Sequence, residues 1–150
     1  MALLSLQLFG GFSAEADGSP LTAFESNKVR ALLAYLAVEA GRMHQRSTLA
    51  ALFWPDHPDA LARTNLRHVL RQLRQTLPDE ESPTPLLLAT QQTLQINPAA
   101  EYTLDIAEFA ALLHAAARCT HRSLGDCATC IERYAQAAAL YRGEFLAGFD

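Results

Sequence analysis

Residues 60–77 read ALARTNLRHVLRQLRQTL and carry the strongest structural signal in the chain. The segment holds four arginines and no acid, although the whole chain has a formal net charge of -4 at pH 7. At about 100° per residue, its large apolar side chains fall on one stripe of a helix. These side chains are Leu66, Val69, Leu70, Leu73 and Leu77. The segment is therefore predicted to be a helix with one buried face and one basic face.

A basic helix in an acidic chain suggests a surface that binds a polyanion, and nucleic acid is the commonest one. The charge is local: residues 26–77 hold eight Lys and Arg against three acids, whereas residues 78–150 hold four Arg against ten acids. Helices that enter the DNA major groove have this layout. An ordinary amphipathic helix with a solvated basic face has it too, so the helix alone leaves both interpretations open.

The segments around this helix predict a winged helix-turn-helix, a unit in which the third helix enters the DNA groove and a terminal hairpin flanks it. Alternating apolar residues and the Asp17–Gly18 turn signal predict a small antiparallel sheet at the start. The predicted strands span residues 4–8, 12–16, 21–24, 86–89 and 93–96. The predicted helices span residues 26–40, 45–54 and 58–77, with Ser26 as the cap of the first and Pro55 at the end of the second.

The character of the chain changes after Asn97–Pro98. Two alanine-rich segments, 106–118 and 128–142, predict an antiparallel helical hairpin of a TPR-like array. Their expected buried residues are Ile106, Phe109, Leu112 and Leu113 in the first, and Ile131, Tyr134, Ala135, Ala138 and Tyr141 in the second. The predicted fold is α+β, with a winged-helix domain over 1–98 and the beginning of a truncated helical-repeat domain over 99–150.

Four segments together resemble one family, the SARP-type bacterial transcriptional activators, over essentially the whole chain. The segments read LQLFGGF…DGSPL, KVRALLAYLAVEAGR, LAALFWPDHPDALARTNLRHVLRQLRQTL and LYRGEFLAGF. The sharpest parts are L-F-W-P at 52–55, the arginine run at 65–74 and Y-R-G-E-F-L-A-G. The resemblance implies an OmpR-like winged helix followed by a bacterial transcriptional activator domain. It also implies promoter binding at direct repeats, tandem or oligomeric binding, and recruitment of RNA polymerase.

Carried onto this chain, the resemblance makes Pro58–Leu77 the recognition helix. The residues predicted to face the groove are Thr64, Arg67, His68 and Arg71. Arginine can pair with guanine through two hydrogen bonds, which suits it to reading bases. Arg63 and Arg74 lie nearer the apolar border and are expected to contact phosphates. Arg46 and Ser47, at the start of the second helix, are predicted to offer a charge and backbone N–H groups to a phosphate.

The predicted wing departs from the basic wings usual in such proteins. Its tip is Gln91–Gln92, which can hydrogen-bond to DNA but releases no counterions. The wing is therefore expected to contribute weakly to binding.

All three cysteines lie within twelve residues, in the pattern C-x-H-x5-C-x2-C formed by Cys119, His121, Cys127 and Cys130. Three sulfurs and one imidazole would complete a tetrahedral zinc shell with a structural role. His114 is a weaker ligand candidate. A reversible Cys127–Cys130 disulfide, or small buried cysteines with no special role, fit the same sequence.

Other classes of function have less support. The chain has no G-x-S-x-G, P-loop, G-x-G-x-x-G or H-E-x-x-H motif, so it is not expected to be an enzyme. No apolar run approaches about 18 residues, and three cysteines without a signal peptide suggest a reducing, cytoplasmic setting. The main alternative is a protein-interaction module that keeps the winged-helix scaffold without specific DNA binding.

Overall fold

A computed structural model describes residues 4–22, 24, 26–77, 84–119 and 127–146. The strands are β1 Leu4–Gln7, β2 Ser13–Ala16, β3 Ser19–Pro20, β4 His44–Gln45, β5 Leu87–Ala89, β6 Thr93–Ile96 and β7 Tyr102–Leu104. The helices are α1 Asn27–Val38, α2 Arg46–Phe53, α3 Asp59–Thr76, α4 Asp105–Arg118 and α5 Ala128–Leu140. The predicted α+β class is confirmed. None of the helices described is both long and apolar enough to cross a membrane.

The N-terminal sheet has the strand order β3-β2-β1-β7. Strands β1, β2 and β3 are antiparallel, as predicted from the alternation of apolar residues and the Asp17–Gly18 turn. The prediction of the third strand at 21–24 was wrong. Asp17 and Gly18 both have positive φ, 51° and 81°, so the chain reverses within two residues. Ser19 therefore already lies opposite Ala16, and β3 begins there.

Three helices form the core next to this sheet. The side chain of Ser26 accepts a hydrogen bond from the backbone N–H of Val29, so the predicted cap of α1 is confirmed. The predicted apolar stripe of α3 is buried along its whole length. In α2, Leu49 is buried as predicted, but Leu52 is 52% exposed, which contradicts its predicted inward position. An eight-residue helix has room for only a narrow buried face, and Leu49 and Ala50 occupy it.

The predicted wing hairpin is present as β5 and β6. A strand that was not predicted, β4, pairs with β6 and joins the wing to the start of α2. Two residues are too short to show a periodic pattern, so the sequence carried no signal for β4. Its pairing fixes the wing beside the helices.

Strand β7 was also not predicted, and it lies beyond the predicted boundary at residue 98. It pairs with β1 in parallel and leads directly into α4. The buried carboxylate of Asp105, the first residue of α4, accepts hydrogen bonds from the backbone N–H groups of Leu8 (2.9 and 3.0 Å) and Phe9 (2.9 Å). The chain after residue 98 therefore contributes to the first sheet, while the division at 98 stays a prediction.

Helices α4 and α5 form the predicted antiparallel hairpin, but the predicted buried face of α5 was wrong. Ile131 is 47%, Tyr134 39% and Tyr141 52% exposed. The residues of α5 that are buried are Cys130 and Ala137. The hairpin packs through small side chains, which let the two helices approach closely, and the larger apolar residues point away from α4.

Candidate nucleic-acid interface

Helix α3 presents its basic residues on the side opposite its buried stripe. The side chains of Arg63, Arg67, His68, Arg71 and Arg74 are all exposed, and Thr64 is half-buried. Asp59 lies in the first turn and Arg74 in the last, the placement that the helix dipole favours. Pro58 has φ -59°, which is suited to the entry into a helix. The sequence therefore fixes both the start of this helix and the face that it exposes.

Thr64 is already hydrogen-bonded within the helix. Its hydroxyl donates to the carbonyl of Ala60 at 3.0 Å and accepts from Nη2 of Arg67 at 3.2 Å. The hydroxyl thereby holds the guanidinium of Arg67 along the helix surface. Thr64 is therefore better placed to orient Arg67 than to contact a base directly.

Arg46, the first residue of α2, faces two arginines of α3. Burial lowers the pKa of Arg46, and the charges of Arg74 and Arg67 lower it further. Its Nε is buried and has no hydrogen-bond partner among the described residues. A buried guanidinium N–H without an acceptor is costly, so the site favours an incoming anion.

The wing tip lies beside Arg46. The backbone N–H of Arg46 donates to the carbonyl of Gln92 at 2.8 Å. The turn itself is organised by Thr90, whose hydroxyl accepts from the backbone N–H groups of Gln92 at 3.1 Å and Thr93 at 2.9 Å. The wing is thus a tight turn held in place against the start of α2.

These elements enclose a groove of about 640 Å³ between the start of α2, the first half of α3 and the wing. Seven of the ten predicted DNA-binding residues line it: Arg46, Ser47, Arg63, Thr64, Arg67, Gln91 and Gln92. Gln45 and Thr93 line it as well, and sequence reasoning missed both because β4 was not predicted. We call this groove, together with its extension along α3, the basic groove.

The extension passes two more of the predicted arginines. One adjoining depression is shared by Arg46, Arg67 and Arg74, and the next adds Arg71. His68, although exposed, lines none of these three depressions. Nine of the ten predicted residues therefore border one continuous surface, and His68 lies outside it.

The charge of the basic groove is not neutralised by the described part of the chain. The ion pair found there joins Arg42 to Glu39 at 3.3 Å, and neither residue borders the groove. No described acid forms a salt bridge with Arg46, Arg67 or Arg74. The groove therefore combines several free guanidinium groups with hydroxyl and amide hydrogen-bonding groups, which is the chemistry of a phosphate-lined surface.

The L-F-W-P segment has a structural explanation in the described residues. The ammonium of Lys28 donates to the carbonyl of Phe53 at 2.6 Å, at the end of α2. The same ammonium lies 5.8 Å from the ring of Phe53 and 5.5 Å from the ring of Trp54. Lys28 thus caps α2 and fixes the turn that leads into α3. Sequence reasoning did not single out this lysine.

The three cysteines come together at the turn between α4 and α5. Their sulfur atoms all lie within 4.8 Å of one another, and those of Cys119 and Cys127 are 3.6 Å apart. Burial raises the pKa of Cys130 to about 12, whereas hydrogen bonding from the backbone N–H of Cys130 lowers the pKa of Cys127. His121 lies outside the described residues, and His114 is not part of the cluster. The cysteine cluster borders none of the depressions of the basic groove.

No known protein family matches the sequence, and no curated protein does. Among solved structures, the chain is similar to Mycobacterium tuberculosis EmbR in complex with a low affinity phosphopeptide, with a TM-score of 0.76 and 24% sequence identity. The similarity covers 97% of this chain and 38% of that chain, so this chain spans well under half the length of EmbR in that structure. At this identity the likeness establishes the fold.

Proposed function

We propose that this chain is a sequence-specific DNA-binding transcription regulator, an activator, whose helix α3 enters the major groove. A transcription regulator of this kind would act in the cytoplasm. The observation that carries the proposal is the basic groove, where the wing, the start of α2 and the outer face of α3 meet. The rest of this section sets out how that groove would hold DNA.

The dimensions suit insertion. At 1.5 Å per residue, the 18 residues of α3 extend about 27 Å. The B-DNA major groove is roughly 12 Å wide and admits one α-helix. With α3 in that groove, Arg67 and Arg71 would reach base edges, while Arg46, Arg63 and Arg74 would contact the flanking phosphates. The unpartnered Nε of Arg46 would then gain a phosphate oxygen as its acceptor.

The structural neighbour supports a regulatory role. EmbR is a SARP-family transcriptional regulator and not an enzyme. The same resemblance, read from the motifs of the chain, supports promoters with direct repeats as the target, binding as an oligomer, and RNA polymerase as a partner. These partners belong to the proposal and depend on its first step, DNA binding.

The test is binding to mixed-sequence duplex DNA over a range of salt concentrations, followed by selection of bound sequences from a random pool. The double variant Arg67→Ala/Arg71→Ala should reduce the slope of log K against log salt by about two, since each phosphate or base contact made by a cation releases about one counterion. Selected sequences should lose preference at the positions that these arginines read.

Arg42→Ala is the matched control. It removes the same kind of charge from an exposed position whose partner is Glu39, away from the basic groove. This control should keep both the affinity and the salt slope of the original chain. DNA binding that is insensitive to salt, or equal losses in Arg42→Ala and in the double variant, would refute insertion of α3.

A second function, a protein-interaction module, is favoured by one observation, the exposed apolar side of α5 that carries Ile131, Tyr134 and Tyr141. In that case the scaffold would bind a protein partner without specific contacts to DNA. The selection experiment distinguishes the two functions, because a module of this kind would enrich no sequence.

A further inference from the structure

The two ends of the α4–α5 hairpin are held in different ways. At the open end, the ring of Phe9 packs against Phe109 (5.2 Å between centroids) and Tyr141 (5.3 Å). The chain that follows α5 then returns to β1, with the backbone N–H of Leu146 donating to the carbonyl of Leu8 at 2.7 Å. The closed end has no comparable aromatic contact among the described residues. The cysteine cluster lies there.

Apolar packing between the two helices is sparse. Only Asp105 and Ala116 of α4, and Cys130 and Ala137 of α5, are buried. Burying a few methyl-sized side chains stabilises a helix pair by little compared with the cost of ordering it. Small helical units with so little core are commonly held by a disulfide or a metal ion. The closed end therefore has both a need for a cross-link and the groups to make one.

The sulfur geometry favours a metal ion over a disulfide. A disulfide requires sulfur atoms about 2.05 Å apart, whereas those of Cys119 and Cys127 are 3.6 Å apart. Two thiolates on a tetrahedral zinc ion, each about 2.3 Å from it, lie about 3.8 Å from each other. The third sulfur, that of Cys130, belongs to the same cluster. Three convergent sulfur donors select a thiophilic ion such as zinc.

We propose that Cys119, Cys127 and Cys130 bind one zinc ion that fastens the end of α4 to the start of α5. Cys119 follows the last turn of α4, and Cys127 and Cys130 lie one helical turn apart at the start of α5. Each thiol releases its proton to solvent as it binds the metal. A further ligand fills the fourth position. The ion is structural, and it is independent of DNA binding by the basic groove.

The test is metal analysis of the full chain purified without chelators or added metal, together with cobalt substitution. Zinc should be present at one ion per chain, and the cobalt form should show sulfur-to-cobalt charge transfer and the visible bands of a tetrahedral site. Cys119→Ser and Cys127→Ser should each abolish the cobalt spectrum and lose zinc. Both residues are half-buried, so these variants are expected to keep the helical circular dichroism of the parent.

Thr129→Ala is the matched control, because it alters an exposed residue between two of the cysteines and should keep the metal. Three results would overturn the proposal. One is a metal-free chain with three freely reactive thiols, and the second is a Cys119–Cys127 disulfide. The third is zinc retained with unchanged affinity in both serine variants.

Discussion

At the scale of single residues, Arg46 is positioned for a ligand at the expense of the free protein. Burial and the charges of Arg74 and Arg67 oppose its own charge, and its Nε has no acceptor among the described residues. We expect Arg46→Gln to raise the stability of the free chain by up to about 1 kcal/mol. The same change should weaken DNA binding and lower the salt slope by about one.

Urea unfolding and salt-dependent DNA binding measure the two effects on the same variant. Arg42→Gln, an exposed arginine outside the basic groove, should change neither quantity. If Arg46→Gln destabilises the chain, then the guanidinium contributes to folding and its role as a phosphate contact loses its main support.

Gly143 shows that part of the Y-R-G-E-F motif has a conformational cause. Its φ is +155°, and a Cβ there would lie 3.0 Å from the Cα of Gly10, a backbone atom that cannot move aside. Gly143→Ala should therefore destabilise the chain by about 1–3 kcal/mol in chemical unfolding. Gly41→Ala is the control, because a Cβ at Gly41 meets nothing within 4 Å. Equal stability of the two variants would contradict the close approach at Gly143.

At the scale of secondary-structure elements, Asp105 joins β1 to α4. Its buried carboxylate accepts from the backbone N–H groups of Leu8, Phe9 and Ile106. Asp105→Asn replaces one acceptor oxygen with an amide that cannot accept, so a buried N–H loses its partner. We expect a loss of about 2–3 kcal/mol in the free energy of unfolding. Glu108→Gln, an exposed change in the same helical turn, should cost only a few tenths of a kcal/mol.

Chemical unfolding followed by circular dichroism gives both values. If Asp105→Asn unfolds at the same denaturant concentration as the parent chain, the carboxylate does not hold α4 against β1. The position of α4 would then depend on the aromatic contacts of Phe9 alone.

Elements with a long periodic pattern could be predicted from the sequence, and short ones could not. The stripe of α3 repeats over five turns, so its buried face was predicted residue by residue. Strands β4 and β7 have two and three residues, and only their partners β6 and β1 define them. Hydrophobicity alone misassigned α5, because close helix packing at Cys130 and Ala137 excludes the larger Ile131 and Tyr134.

The candidate site was predicted to the extent that it follows from one helix. Arg67 and Arg71 come from the helical period, but their meeting with Arg46 and Gln92 depends on the β4–β6 pairing. The likely placement of His68 could not be judged, because exposure on a helix says nothing about which neighbouring element approaches it. Tertiary contacts decide which exposed residues share a surface.

At the scale of the whole molecule, charge is divided between the basic groove and an acidic remainder, in a chain of net charge -4. If DNA responds to the local field of the groove and not to net charge, the position of an added cation should decide its effect. Gln92→Lys adds a charge at the wing tip, within the groove. Gln136→Lys adds the same charge on α5, beside Leu112 and Leu140 and away from the groove.

We expect Gln92→Lys to tighten binding to mixed-sequence duplex DNA and to steepen the salt slope by about one, because a lysine at the wing releases one more counterion. Gln136→Lys should leave both quantities unchanged, although the two variants have the same net charge. Fluorescence anisotropy titrations at several salt concentrations make the comparison. Equal gains in the two variants would mean that net charge governs binding, and the neutral wing would then not limit the affinity of the groove.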